Sequence, residues 1–502
     1  MKNIKFTFTI LFICAGLSAQ KQNVLFILVD DLKPTINAFG ASQMITPNFD
    51  SFADQSVVFT NTQCQQAVCA ASRVSFMTGM RPDYTQILDL KTHMRDKVPN
   101  SLTLPEYFKQ NGYETAGIGK VLHGAKNNDP QSWSIPFIKD DFLPFNSNFD
   151  VPVDHQYQNK KTKKIYRQLL ANNTKKNAIR KELAKAGGRP STEMLDIPDN
   201  AYADGALALR SIELLKTFQK NNTPFFLTVG FHKPHLPFVA PKKYWDLYDR
   251  DAIELAAYQK PAKDAPQYAL HTWGELKGYS DIKKNIGADG LVMEAKQREL
   301  IHGYYASVSY IDAQLGLLLE HLKSSGLQEN TVVVLIGDHG WHLGDHGVWN
   351  KHTNYEQATR TPLFVMTPKG KKGVKNASPT ELIDVFPTLC EGVGLASPSH
   401  LQGKSLMPIV KGEKTKVKEI ALSQFPRGPK MGYAARSERY RYIEWREGNY
   451  KKSKDYIHGK VLATELYDYK VDPLEKRNLI DDPDYSDVKR SMQTHLNQLV
   501  NN

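Results

Sequence analysis

The sequence predicts an α/β fold with a large, mostly parallel central sheet flanked by helices, and a smaller C-terminal sheet-and-helix subdomain. Two observations carry this. Short apolar runs alternate with helix-like segments through most of the chain, and from about Lys416 the texture changes to short aromatic stretches of alternating polarity. At 502 residues the chain also exceeds what one hydrophobic core usually serves, so a large unit over 20–415 and a smaller one over 416–502 are expected.

The strand-like runs fall at 23–29, 57–60, 115–119, 225–230, 332–337 and 363–367. Helical segments lie between them. At 47–55, Thr46 can cap and Pro47 fits the first turn; 203–219 follows, and then a long helix over 298–324 whose apolar residues recur at helical spacing. Stretches 440–445 and 466–469 belong to the smaller sheet, with a terminal helix at 486–499. Segment 125–200, rich in Pro, Asn and Lys, reads as a long loop-rich insertion of the kind that lines a site.

Hydrophobic residues make up 41% and charged residues 24%, ordinary globular values, and no apolar run beyond the N-terminus is long enough for stable membrane insertion. Lys2 and Lys5, the apolar run 6–15 and the small-residue site Leu17-Ser18-Ala19 have the layout of a signal peptide over 1–19. Cleavage near Ala19 would send the protein to the periplasm or the exterior. It would also remove Cys14 and leave Cys64, Cys69 and Cys390, an odd and small number that excludes a disulfide scaffold. The formal charge is +12, much of the excess lying in 159–185, which favours anionic partners. No aromatic ladder or helix-turn-helix pattern supports nucleic acid.

Three clusters carry chemistry. Asp30 and Asp31 directly follow the first strand, where active sites of open α/β sheets gather and adjacent carboxylates can hold a hard divalent cation or simply cap the strand. Asp338, His339 and Gly340 end a second strand, and the segment continues through Trp341, His342, Asp345 and His346 to Lys351. The spacing of His339, His342 and His346 on a glycine-broken segment is neither a helical pair nor a zinc ribbon, which disfavours a dedicated zinc site. Cys69 precedes a short helix whose N-terminus stabilises anions, and Arg73 adds a positive charge one turn on. As a plain cysteine it would read as a small buried hydrophobe.

Cys69-Ala70-Ala71-Ser72-Arg73 with Thr78-Gly79 resembles the sulfatase signature, Cys-x-Pro/Ala-Ser-Arg followed by Thr-Gly, in which the cysteine is oxidised to formylglycine (3-oxoalanine). Ala71 is a mild departure, since that position more often holds proline. The runs Asn23-Val24-Leu25 through Asp30-Asp31, Thr46-Pro47-Asn48, Gly119-Lys120, Pro224-Phe225-Phe226, Asp338-His339-Gly340 and Glu465-Leu466-Tyr467-Asp468 fall in the order of that family. The chain is thus identified as a member of the type I formylglycine-dependent sulfatases. Phe231-His232-Lys233-Pro234-His235-Leu236-Pro237-Phe238, Met431-Gly432-Tyr433 and the histidine at 339 resemble its iduronate-2-sulfatase branch.

The resemblance implies an alkaline-phosphatase-like sulfatase fold and one calcium ion (Ca2+) held by Asp30, Asp31, Asp338 and His339 with an oxygen of the modified Cys69. Coordination rules alone leave magnesium and manganese open. Lys120 and Lys351 would neutralise sulfate oxygens, and Arg73 would brace the nucleophile. His123 would serve as its base, and His232 would protonate the departing sugar oxygen. The nucleophile would be the hydrate of the aldehyde at 69, made by a formylglycine-generating maturation enzyme. The substrate implied is a sulfated oligosaccharide or polysaccharide, with exo-action on a 2-O-sulfated uronic acid. Alternatives are algal ulvan or carrageenan oligosaccharides, a phosphomonoester or phosphodiester hydrolase of the same superfamily, and a glycan-binding pseudoenzyme.

Overall fold

A computed structural model describes residues 21–124, 128–154, 156–175, 178–270 and 274–501. The expected signal peptide lies outside these residues. The strands of the first unit are β1 (Asn23–Val29), β2 (Val57–Gln63), β3 (Glu114–Gly119), β4 (Thr192–Leu195), β5 (Phe225–Phe231), β6 (Phe238–Pro241), β7 (Thr331–Gly337), β8 (Arg360–Met366), β9 (Val374–Asn376) and β10 (Thr380–Glu381). The central sheet runs β10-β2-β8-β7-β1-β5-β3, with β9 also paired to β2. β1 lies parallel to both β5 and β7, and β3 continues parallel on β5, whereas β8 is antiparallel to β7 and β2.

The strands at the centre are apolar along their whole length because both faces are covered. β1, β5 and β7 are buried at every position. The two-residue period of β1 divides the core: Leu25, Ile27 and Val29 join one hydrophobic cluster, while Val24, Phe26 and Leu28 join another. The first face is covered by α1 (Pro47–Ala53) and by the long helices later in the chain. The second is covered by α2 (Cys69–Thr78), which contributes Phe76 and Met77. Helices α3 (Ala203–Asn221) and α4 (Glu294–Ser324) complete the first layer through Leu207, Leu215, Tyr304 and Leu315.

Strand register positions the site. Val29 pairs with both Phe231 and Gly337, and Gly119 pairs with Gly230, so β1, β3, β5 and β7 end at one edge of the sheet. Asp30, Lys120, His232 and Asp338 therefore leave the sheet together, although up to 308 residues separate them in sequence.

Segment 125–200 is more regular than its composition implies. It contains helices over Lys160–Ala171 and Ile179–Lys185, and β4, which pairs parallel with β6. The Asn159 side chain caps the first helix by accepting from Thr162 N at 2.8 Å. Ile165 and Leu169, four residues apart, pack against Tyr157 and Leu183, leaving Lys160, Lys161 and Lys164 exposed. The lysines conceal a helical period that only three or four apolar residues carry.

The C-terminal sheet is an antiparallel meander of β11 (Ala421–Arg427), β12 (Lys430–Arg436), β13 (Tyr440–Glu447) and β14 (Val461–Asp468). Helix α5 (Ser486–Asn501) packs Met492 and Leu496 into the same cluster as Tyr433 and Tyr442. The sheet grips the segment just after Lys351. Arg441 donates to Asn354 O at 2.7 Å and to the Glu356 carboxylate, Arg436 donates to Glu356 at 3.1 Å, and Tyr355 donates to Glu465 at 3.0 Å.

Gly119 has a φ of +73°, and a Cβ there would strike Gly230 O and Leu207. That close approach lets Lys120 N donate to Gly230 O at 2.7 Å. Gly119→Ala is expected to lower stability by about 1–3 kcal/mol. Gly40→Ala, at φ +95° but with open space around the new methyl, is expected to cost about 1 kcal/mol. Urea unfolding of the two variants side by side checks the difference.

Candidate active site

Arg73 is the centre of the strand-end cluster and is fully buried. From the first turn of α2 its Nε donates to Asp338 Oδ2 at 3.0 Å and its Nη2 to Asp30 Oδ1 at 3.1 Å. Its Nη1 donates to Lys120 O and to Val121 O, the latter at 3.1 Å. One guanidinium thus ties together the ends of β1, β3 and β7. Asp31 N donates to Asp338 Oδ1 at 3.0 Å, and Ser72 Oγ donates to Asp338 O at 2.5 Å. Asp31 sits in the left-handed region at φ 58°, where Tyr304 of α4 fixes its carbonyl with a 2.8 Å hydrogen bond. Such strain persists only where surrounding contacts over-determine it.

Cys69 begins α2 and is buried, and its Sγ is 3.3 Å from His339 Nε2. Ligand atoms of Asp30, Cys69, Asp338 and His339 lie within 4.8 Å of one another, as do those of Asp30, Asp31, Cys69 and His235. Lys120 Nζ pairs with Asp30, and Lys351 Nζ lies 2.9 and 3.0 Å from the two oxygens of Asp31. Lys351 also stands 5.0 Å from the centre of the Trp341 ring.

Electrostatics in this cluster are strongly perturbed. Burial, reinforced by Asp30, lifts Asp31 to about 6 against the pull of Lys351 and His235. Burial also works on Asp30, but Lys120, His235, Arg73 and Lys351 together hold it well below the usual carboxylate range. Burial alone would lower His339, yet Asp338, Cys69 and Asp31 raise it to about 9. Buried carboxylates with a histidine and a sulfur or oxygen donor are a fitting set for a divalent cation, whose charge would relieve the crowding and displace that proton.

The structure brings Asp30, Asp31, Cys69, Arg73, Lys120, Asp338, His339 and Lys351 into one contact network. His123 and His232 border it. Burial and then the charge of Lys120 lower His123 to about 4, so its imidazole is neutral at neutral pH. His232 is held by its backbone N–H, which donates to Asp204 Oδ1 at 2.7 Å, while its Nε2 lies 3.3 Å from Asp140 Oδ2. Burial opposes protonation of His232, but Asp140 and then Asp204 outweigh it, against Lys120, and the pKa is raised. His342 and His346 point elsewhere: His342 Nε2 is 2.8 Å from Thr353 Oγ1, and His346 stacks on Tyr355.

Three residues of the site escaped the sequence reading. His235 Nε2 lies 3.9 Å from Asp31 Oδ2 and 3.1 Å from Glu275 Oε1, and Glu275 Oε2 lies 3.3 Å from Lys351 Nζ. Burial would raise Glu275, but Lys351 and His235 hold it well below the usual carboxylate range. His235 stands in the same short motif as His232, which could have flagged it. Asp140 and Glu275 lie on short helical turns with no local signal.

Comparison with known proteins bears on the family and the fold. The model of the family described as Sulfatase matches residues 22–395, and that of the N-sulphoglucosamine sulphohydrolase C-terminal region matches 344–502. Iduronate 2-sulfatase of Homo sapiens is 32% identical over 95% of this chain and 96% of its own length. An ulvan-active sulfatase of Formosa agariphila is 25% identical over 95% of this chain and 81% of its own. A solved structure captured with its substrate, D-glucosamine-2-N,6-O-disulfate, superposes with a TM-score of 0.70, covering 96% of this chain and 98% of that one. At 20% identity it speaks for the fold.

Removing the central cation leaves two buried carboxylates without their shared partner. Arg73→Met is expected to cost about 3–5 kcal/mol in chelator-treated protein at neutral pH. Asp30 has a depressed pKa, so its pairing contributes above the ordinary carboxylate range and is lost as pH falls through the folded value. The deficit should therefore shrink on acidification. Denaturant unfolding at neutral pH and at about pH 2–3, below the ordinary carboxylate range, checks both statements.

Proposed function

The chain belongs to the sulfatase family of sulfuric ester hydrolases, and on that premise we propose that it cleaves sulfate esters of polysaccharide-derived sugars with formylglycine at position 69 and one calcium ion. The observation that carries this is the meeting of Cys69, at a helix N-terminus, with a cluster of metal-type ligands, the buried Lys351 and the half-buried Lys120. Asp30, Asp31, Asp338 and His339 would hold the calcium together with an oxygen of residue 69. Bound there, the ion would draw charge from sulfate oxygens and acidify a neighbouring hydroxyl. Hydrated formylglycine would offer one hydroxyl whose oxygen attacks sulfur and displaces the sugar oxygen, and a second that then loses its proton and collapses to the aldehyde carbonyl, breaking the bond from carbon to the sulfated oxygen and expelling sulfate.

The chain's own residues then have distinct tasks. Lys120 and Lys351 neutralise the sulfate oxygens; both are now paired with carboxylates whose charge the cation would share. Arg73 has a second part beside the one expected. Its hydrogen bonds go to Asp30, Asp338 and two carbonyls, so it braces the ligand frame rather than the nucleophile alone. His123, neutral at working pH, accepts a proton from the hydroxyls of residue 69. His232, whose protonated form Asp140 favours, donates one to the departing sugar oxygen.

The substrate reading is exo-action on a 2-O-sulfated uronic acid, supported by the 32% identity to iduronate 2-sulfatase. The ulvan-active relative keeps algal sulfated glycans as the second reading. Export after cleavage near Ala19 and dependence on a formylglycine-generating enzyme complete the proposal.

Peptide mass spectrometry of active protein should find the aldehyde at residue 69, and Cys69→Ser should be inactive. A chelator should abolish turnover and calcium restore it; full restoration by zinc alone would overturn the metal assignment. Replacing Asp140 by Asn removes the negative charge that raises His232, leaving Asp204 to oppose Lys120. The basic limb of kcat/KM should then move to lower pH by about one pH unit. A pH–rate profile with the acid limb unmoved is the expected outcome, and an unchanged basic limb would remove His232 as the acid.

A further inference from the structure

One carboxylate in the site has no part in the chemistry above. Glu275 lies on the helical turn Gly274–Lys277, between β6 and α4. The turn is anchored. Leu276 beside it is fully buried in the main core, and Glu275 O accepts from Gly278 N at 3.1 Å. Arg189 reinforces it, donating from its side chain to Gly278 O at 3.2 Å and accepting at its carbonyl from Ser280 N at 2.9 Å. The Glu275 side chain is 26% exposed, whereas the lysine it meets is 2% exposed. Its two oxygens divide between Lys351 and His235, at 3.3 and 3.1 Å. It is thus the more exposed partner of Lys351 and His235, whose other carboxylate neighbour, Asp31, is buried.

A negative charge in that place works against an enzyme whose substrate is an anion. Glu275 also stands outside both groups of ligand atoms that lie within 4.8 Å of one another, so it does not complete the cation site. What a carboxylate at the mouth can do is accept hydrogen bonds. A sulfate held by Lys351 would bring the ring carbon bearing the ester, and the substituents on its neighbours, beside Glu275. A hydroxyl or ammonium group there would be bound, and a second anionic group would be repelled.

Resting on the sulfatase reading above, we propose that Glu275 is a specificity-determining residue that accepts a hydrogen bond from a hydroxyl on the ring carbon next to the sulfate ester and rejects sugars sulfated at both positions. The device is one of exclusion as much as of attraction: the same oxygen that binds a donor leaves a neighbouring sulfate with an unscreened like charge.

The test uses a methyl hexopyranosiduronate 2-sulfate and its 2,3-disulfate as a matched pair. Calorimetric binding to Cys69→Ser protein, with and without Glu275→Gln, needs no maturation of residue 69. The parent should favour the monosulfate by on the order of tenfold or more, and Glu275→Gln should erase most of that preference by improving disulfate binding. In matured enzyme the kcat/KM ratio of the pair should collapse in the same way, and Glu275→Ala should weaken the monosulfate chiefly through KM. Equal loss on both sugars, or a preference that survives Glu275→Gln, would overturn the inference and leave Glu275 as a prop for Lys351. Failure of matured enzyme to hydrolyse either sugar would count against the uronate reading. Failure of the Cys69→Ser protein to bind either would overturn both.

Discussion

Everything at the site depends on a single buried guanidinium. Arg73 has no contact with water, and its donors are spent on carboxylates at the ends of β1 and β7 and on carbonyls just past β3. A planar fork with fixed geometry suits this task, since each N–H has one direction and one acceptor. Because Arg73 rides on the first turn of α2, the same ion pairs also set the distance from Cys69 to the carboxylates. The nucleophile's position and the ligand frame's position are one structural fact.

Charge balance explains the remainder of the cluster. Asp30, Asp31 and Asp338 meet Arg73, Lys120 and Lys351, and each cation arrives on a different element. Lys351 would be the least constrained of them, lying on a long irregular stretch after β7. The C-terminal sheet supplies the constraint: Arg436, Arg441 and Glu465 fasten Asn354, Tyr355 and Glu356 by charged hydrogen bonds. The smaller unit therefore contributes to the chemistry without lending a side chain to the reacting centre.

Much of this was legible before any coordinates. Continuous apolar runs gave β1, β5 and β7 nearly to the residue, since strands covered on both faces leave no other pattern. Asp30, Asp338 and Lys120 could be found because strand-end chemistry sits next to those runs in the sequence. The antiparallel direction of β8 left no trace, because strand direction is set by how the chain returns and not by composition. Segment 125–200 concealed its two helices beneath lysines, and Asp140 and Glu275 reach the site from parts of the chain whose approach depends wholly on tertiary packing. Arg73 was legible through its motif but its ties to Asp30 and Asp338 were not, as a guanidinium's partners are invisible until the strands on which they lie are aligned.

The pairing of Asp140 with His232 joins two properties that are usually thought to diverge separately. Asp140 belongs to the segment that departs most from regular sheet architecture, whereas His232 follows directly on a central strand. Loops of that kind are where lineages exchange one sugar for another. Here an exchanged loop would also replace the counter-charge of His232, the proposed proton donor, so a descendant recruited to a new glycan would inherit a different acidity range with it.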